Sequence, residues 1–307
     1  MFNKKLLMYI TGLVFLLSNA LFSQEEKEEG TNESDSAETE EIEWWNKDWE
    51  DFNFDFDLFD KHKAPSISLS YGFSSINLKN FSGSFADPNI PELKLGYTTE
   101  KLNKEAEGIL DYKYNYLFLS NITTDISNTP SANEIESNLW RFGIGWAKGY
   151  GYDFGSSAII PYNSFSLAWS RLDVKEFPEN QEDRNKLALF NESFRFGTGS
   201  EAGLRIQVIP QVTFEAAYER SVIFERHLFW KWAGSALIEA SGHWALDSFV
   251  DRIMETSPYA APVVSFVLKS ALSYGVYELR QDKMNWPFKS AAPIGYDQFK
   301  FGLTFNF

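Results

Sequence analysis

The chain of 307 residues contains no cysteine and only three histidines, His62, His227 and His243. The absence of cysteine excludes disulfide bonds, thiolate chemistry and a lipid-anchor cysteine, and three histidines leave little material for a metal site. No metal and no other cofactor is therefore expected. Basic residues are also scarce, with 28 Lys and Arg against 43 Asp and Glu. Because nucleic-acid binding needs a basic patch, nucleic acid is not an expected partner.

Long apolar runs are confined to the start of the chain. Residues 1–23 combine Lys4 and Lys5 with an apolar run from Leu6 to Leu17 and a small-residue exit. This pattern is typical of a secretory signal peptide and is too short to span a membrane. No later run of about 18 apolar residues occurs, so no transmembrane helix is predicted after it.

Most of the net charge of −15 lies in a leader at residues 24–64, with sixteen acidic residues and two lysines between 24 and 60. Residues 24–43 have almost no apolar side chains, so this part is expected to be disordered in the periplasm. Residues 44–60 alternate aromatic and acidic side chains. They are interpreted either as a solvated segment touching the membrane interface or as a docking or divalent-cation segment, although the spacing matches no calcium loop.

Aromatic residues are abundant, at 17% of the chain, and many recur at every second position. In the last twelve residues, Phe299, Phe301, Leu303, Phe305 and Phe307 share one face of an extended strand. Similar alternation is found in seven more segments, at about 66–75, 92–100, 109–121, 138–148, 162–173, 193–209 and 212–223. Eight strands of this length match what a tilted strand needs to cross a bilayer. We therefore predict an all-β fold, an antiparallel transmembrane β-barrel over residues 65–307.

The polar faces of these strands carry both signs of charge. In a narrow closed barrel they would point inward, where unpaired charge is costly, so a lumen filled with ion pairs is expected. The predicted interior charges are Lys94, Asp111, Lys113, Arg141, Arg195, Glu201, Arg205, Glu215, Glu219 and Lys300.

A segment at about 224–295 interrupts the barrel before its last strand. The spacing of Leu237, Trp244, Phe249 and Ile253 predicts a helix, and a second apolar stretch from Pro262 to Leu279 is compatible with another. These helices are expected to pack on the rim or in the outer interface, because an eight-stranded barrel has room only for its own side chains. Alternatively, residues 266–277 form a strand and the barrel has ten.

The pattern from Phe194 to Tyr218 resembles the penultimate hairpin of small Gram-negative outer-membrane barrels of the eight-stranded type. The ending Phe-Gly-Leu-Thr-Phe-Asn-Phe is similar to their closing strand, and the signal exit into Gln24 is similar to Bacteroidota-type exports. The resemblance implies an outer-membrane location and contact with membrane lipid. It also implies that Phe307 is read by the barrel-assembly machinery.

Catalytic residues are poorly indicated. His243, with Ser241 or Ser248 and Asp247 nearby, makes a weak triad, because no nucleophile or oxyanion hole is located. The leading hypothesis is therefore a non-catalytic barrel that anchors or presents the insertion and the acidic leader to a periplasmic or surface protein partner. A narrow pore for small solutes is the alternative, and a lipid-acting hydrolase is the third.

Overall fold

The computed structural model describes residues 63–104, 106–124 and 134–307. The predicted signal peptide at 1–23 and nearly all of the leader at 24–64 lie outside these residues.

Eight of the strands in the described residues close into a barrel. In chain order the strands are β1 (Ala64–Leu78), β2 (Ser84–Phe85), β3 (Asn89–Leu102), β4 (Ile109–Thr123), β5 (Glu134–Ile135), β6 (Ser137–Asp153), β7 (Ala158–Val174), β8 (Phe194–Ile209), β9 (Val212–Ile223) and β10 (Ile294–Asn306). The barrel order is β1-β10-β9-β8-β7-β6-β4-β3, with every neighbouring pair antiparallel. Pairing of Ile67 with Phe305 joins the first strand to the last. The predicted eight-stranded antiparallel barrel is confirmed.

The two ends of the barrel differ. At the end where β1 begins and β10 finishes, which we call the terminus end, β8 and β9 are joined only by residues 210–211 and β6 and β7 by residues 154–157. At the opposite, loop end, the connections are longer and carry secondary structure of their own. Short turns at one end and long loops at the other are typical of outer-membrane barrels.

Side chains alternate between the lumen and the outer wall along each strand. On β1, for example, Ser66 and Ser68 are buried, whereas Leu69 and Phe73 are more than half exposed. Exposing an outer wall of leucine and phenylalanine to water would be energetically unfavourable, whereas such a wall is suited to contact with lipid.

The loop end of the lumen is closed by an apolar lid. β2 and β5 pair in parallel, and helix α1 (Gln181–Ala188) lies in the β7–β8 connection. Buried side chains from these elements and from the strand ends form one cluster: Ile76, Phe85, Ile90, Ile122, Ile135, Leu139, Leu172, Leu187, Phe190, Ile223, Ile294 and Tyr296. The sequence alone did not predict this lid.

The insertion before β10 is a helical hairpin of α2 (Phe229–Thr256) and α3 (Ala261–Asp282), joined by a short 3-10 turn. The predicted helices are present, and the ten-strand alternative is wrong because residues 266–277 belong to α3. By length and composition, Pro258–Asp282 is apolar enough to cross a membrane. No helix of this length and composition was predicted after residue 23.

The hairpin lies on the outer wall of the barrel. α3 contacts β6, β7, β8 and β9. The tip of the hairpin packs Val250, Met254 and Ala261 against Ile109 at the terminus end. The insertion thus starts at the loop end, where β9 finishes; α2 runs along the wall to the opposite end and α3 runs back. It does not project away from the barrel.

Asp183 links α1 to the segment before β2 in the lid. Its carboxylate accepts hydrogen bonds from the Ser82 N–H, at 3.0 Å, and from the Ser82 hydroxyl. The hydroxyl bond lowers the pKa of Asp183 below its usual value. A lowered folded-state pKa means that the contact keeps its full strength down to about pH 4 and loses it as the pH falls further.

We expect the protection factors of the α1 amides, which are corrected for the intrinsic pH dependence of exchange, to stay constant from pH 7 to about pH 4 and to fall below that value. The matched control is Asp183→Asn, measured at each pH, because the amide keeps an acceptor oxygen but does not titrate. An identical pH dependence in the variant and the wild type would contradict the assignment to Asp183.

Candidate functional site

The inward faces of the strands bring four basic and four acidic side chains together inside the barrel. Each of these side chains has at most 8% of its surface exposed. They come from β3, β6, β8, β9 and β10, and we call this set the lumen network: Glu92, Lys94, Arg141, Glu201, Arg205, Glu215, Glu219 and Lys300.

Lys300 lies at the centre of the network. Its Nζ is 2.7 Å from Glu92 and 2.6 Å from both Glu201 and Glu219. Carboxylate oxygens of these three glutamates all lie within 4.8 Å of one another, a spacing that could hold a metal ion. The ammonium group supplies the positive charge that such a cluster needs, so Lys300 fills the position where a cation would bind.

Lys94 extends the network across the lumen. Its Nζ is 2.9 Å from Glu201 and 3.8 Å from Glu215, and Glu215 is in turn 2.9 Å from the guanidinium of Arg205. On the other side of Lys300, Arg141 bonds Glu219 at 2.8 Å. Each charge therefore has an opposite charge within reach, which is the condition under which burial of ionised groups is tolerated.

An aromatic column on β4 lines the lumen beside the charges: Tyr112, Tyr114, Tyr116 and Phe118, all buried. Lys94 Nζ lies 4.8 Å from the ring centre of Tyr116, and the guanidinium of Arg205 lies 4.8 Å from that of Tyr112. These are cation–π distances. The cations that bind carboxylates on one side thus face aromatic rings on the other.

Glycines make room for the tyrosine rings of the lumen, both in the β4 column and on β7. A Cβ built at Gly145 would lie 2.3 Å from Tyr116, and one at Gly203 would lie 2.6 Å from Tyr162. The hydroxyl oxygen of Tyr162 lies 2.9 Å from a carboxylate oxygen of Glu201 and 2.5 Å from one of Glu215, so its single proton can be donated to either. The tyrosine rings occupy the space left by the glycines and contact the ion pairs, so the middle of the barrel is filled by side chains.

The structure brings most of the predicted interior charges together: Lys94, Arg141, Glu201, Arg205, Glu215, Glu219 and Lys300. The prediction is wrong for Asp111 and Lys113, because on β4 the tyrosines face inward and these two residues face outward. Aromatic side chains were assumed to face lipid, but this lumen uses them as partners for cations. Arg195 is half-buried near the loop end, six residues before Glu201 on β8.

Glu92 was missed, although the sequence carried a signal for it. It precedes Lys94 by two residues and so shares its face. The predicted strand began at residue 92, whereas β3 begins at Asn89. The same alternation that places Lys94 in the lumen therefore places Glu92 there as well.

The weak catalytic arrangement in the hairpin is not assembled. Ser241 and Ser248 donate to carbonyls of their own helix. Asp247 forms an ion pair with Lys269, and His243 Nε2 lies 3.4 Å from Ser273 Oγ on the other helix. These residues hold the two helices together.

Comparison with known proteins gives only distant structural similarity. No protein family and no curated protein matches the sequence. Neisserial surface protein A is similar over 79% of this chain and 97% of its own, with 12% identity and a TM-score of 0.39. The attachment invasion locus protein Ail of Yersinia pestis covers 80% and 99%, with 9% identity and a TM-score of 0.32. The outer membrane protein OprG from Pseudomonas aeruginosa covers 80% and 97%, with 10% identity and a TM-score of 0.28. The strand pairing of this chain, and not these similarities, establishes its barrel fold.

Replacing Lys300 by methionine tests the network. The substitution keeps the length of the side chain but leaves three buried carboxylates without their central cation. Removal of one partner from a buried ion pair costs about 3–5 kcal/mol. We therefore expect the free energy of unfolding of Lys300→Met to fall by about that amount in urea titrations followed by tryptophan fluorescence in detergent micelles.

Lys113→Met is the matched control, because Lys113 is exposed on the outside of β4. Surface substitutions of this kind usually change stability by less than about 0.5 kcal/mol. Equal unfolding midpoints for Lys300→Met and Lys113→Met would show that the network does not stabilise the barrel.

Proposed function

We propose that the protein is a non-catalytic barrel of the bacterial outer membrane, whose sealed body anchors a helical hairpin and an acidic leader for interaction with a partner. The observation that carries this proposal is the filled lumen. A barrel without a passage serves as a scaffold, because neither a solute nor a substrate can enter its interior.

Two layers support the absence of a passage. In the middle of the barrel, Arg141 has 0% of its surface exposed, Arg205 1% and Lys300 2%. At the loop end, the apolar lid covers the network with side chains such as Ile90 and Ile122, each fully buried. An ion crossing the barrel would have to break ion pairs and then enter an apolar layer.

The outer wall supports a membrane location. Leu69, Phe73, Leu117, Phe214 and Phe301 lie on four different strands and are all more than half exposed. A closed barrel has no unpaired strand edges, so its backbone is satisfied without water, as a lipid environment requires. The short turns favour a periplasmic position for the terminus end.

The geometry also indicates where a partner would bind. The leader enters β1 at the terminus end, and the tip of the hairpin lies at the same end, where the Tyr152 hydroxyl donates to the Tyr259 carbonyl at 2.7 Å. A periplasmic partner could contact both.

A conductance measurement separates the scaffold from the narrow pore. We expect the purified protein, reconstituted in planar lipid bilayers, to give no discrete conductance steps, because the network and the lid close the lumen. An open porin inserted in the same way is the positive control. Reproducible steps that scale with protein insertion would favour the pore and contradict the scaffold.

Phe307 is proposed as the assembly signal. Its side chain is 74% exposed, and its backbone N–H donates to the Pro65 carbonyl at 2.9 Å. The aromatic ring therefore adds little to the folded state, and Phe307→Ser is expected to lower the amount of folded barrel in outer-membrane fractions without changing stability in vitro. Phe73→Ser, an exposed phenylalanine on β1, is the control. Equal losses for the two variants would contradict a special role for the last residue.

A further inference from the structure

The hairpin spans the full height of the barrel. Near the loop end, Trp232 and Tyr277 pack with Val222 at the end of β9. At the terminus end, Tyr259 donates to the carbonyl of Glu107 in the β3–β4 turn. At 1.5 Å per residue, α2 and α3 are about 42 and 33 Å long, and the hydrocarbon core of a bilayer is about 30 Å thick. The hairpin therefore has the length of a membrane span.

The barrel wall beneath the hairpin contains several polar side chains. Asn163, Thr198, Ser200 and Arg220 point outward from β7, β8 and β9 in positions where lipid-facing residues would otherwise be apolar. Thr198 is nevertheless only 4% exposed, because α3 covers it. Lipid in direct contact with this stretch would face polar and charged groups, and the hairpin prevents that contact.

Arg220 fixes α3 to the wall. Its guanidinium lies 4.6 Å from the ring centre of Tyr218 on β9 and 4.4 Å from that of Tyr274 on α3. Asn163 adds a direct bond, donating to the Ser270 hydroxyl at 2.9 Å. Arg220 and Asn163, two of the outward polar residues of the wall, thus have partners on the helix.

Two ion pairs in the hairpin join its helices to one another. Arg280 bonds Glu239 at 2.9 Å, and Lys269 pairs with Asp247, in both cases across the two helices. Ser241, which is exposed, donates to the Leu237 carbonyl at 2.8 Å within its own helix. Polar groups satisfied inside the protein can remain in a medium without water.

The outward face of the hairpin is apolar. Six of its apolar side chains have between 43% and 58% of their surface accessible: Leu237, Ile238, Trp244, Phe249, Val263 and Val267. This face continues the leucine- and phenylalanine-rich wall of the barrel. Proteins in water rarely expose a continuous apolar surface of this extent.

We propose that the hairpin is itself a transmembrane element, which lies in the bilayer against β6–β9, with lipid acyl chains covering its outward face. This inference rests on the proposed membrane location of the barrel. It assigns the partner of the apolar face of the hairpin: the lipid, and not a soluble protein. Only the tip near Tyr259 and the base near Phe229 then reach the aqueous sides.

Because the chain has no cysteine, single cysteines can be introduced and labelled with a nitroxide. Leu237→Cys on α2 and Val267→Cys on α3 report on the hairpin, Leu69→Cys on β1 reports on the barrel wall, and Ser156→Cys in the β6–β7 turn reports on water. In liposomes, we expect both hairpin labels to match Leu69→Cys, with frequent collisions with oxygen and few with a water-soluble nickel chelate. The ratio should reverse at Ser156→Cys.

The outcomes separate the two proposals. If Leu69→Cys reports lipid but both hairpin labels report water, the transmembrane hairpin is wrong and the membrane barrel stands. If Leu69→Cys also reports water, the membrane location fails, and the inference fails with it. Heat-dependent gel mobility of each labelled variant establishes beforehand that the barrel has folded.

A second measurement tests the charge pairing in the hairpin. Lys269→Met leaves Asp247 without its cation, so the Val267→Cys label is expected to shift towards water in this variant. The double variant Asp247→Asn/Lys269→Met should restore the lipid signal, because neither remaining side chain is charged. An unchanged label in Lys269→Met would show that Asp247 already faces water, which contradicts the proposal.

Discussion

The structure depends on one constraint: every charge placed inside a closed, narrow barrel needs an opposite charge in contact with it. Lys300 meets this constraint for three carboxylates at once, Glu92, Glu201 and Glu219, all at 2.6–2.7 Å. Since the three carboxylates come from β3, β8 and β9 and Lys300 comes from β10, the ion pairs fix the relative positions of these four strands. A shift of one strand by a single residue would exchange its inner and outer faces and leave several buried charges without partners.

The same constraint explains the outside of the barrel. Arg220 points outward, and its charge is covered by tyrosines on β9 and α3. Lys269 and Arg280 on the hairpin are paired with carboxylates of α2. Charge is therefore paired in the lumen, and beneath the hairpin it is paired or covered by aromatic rings.

Much of the fold could be predicted from the sequence, because two-residue alternation is a local property. It located all eight barrel strands, and β8 and β9 agree with prediction to within one residue at each end. It failed where a local pattern has two physical interpretations. On β4, alternating aromatics mark a lipid-facing strand or a cation-binding column, and only the neighbouring cations distinguish the two.

The helical hairpin could not be placed from the sequence for a related reason. Glu239, Asp247, Lys269 and Arg280 interrupt its apolar runs, and their pairing between the helices is visible only in three dimensions.

The account predicts that water-soluble reagents cannot reach the centre of the lumen, and the reactivity of its lysines measures this directly. In the folded protein, a small amine-acetylating reagent followed by mass spectrometry should modify Lys113 and Lys283, which are exposed, and leave Lys94 and Lys300 unmodified. After unfolding, all four should react. If Lys94 and Lys300 were acetylated in the folded protein as fast as the two exposed lysines, the lumen would be open to water, and a sealed scaffold would be contradicted.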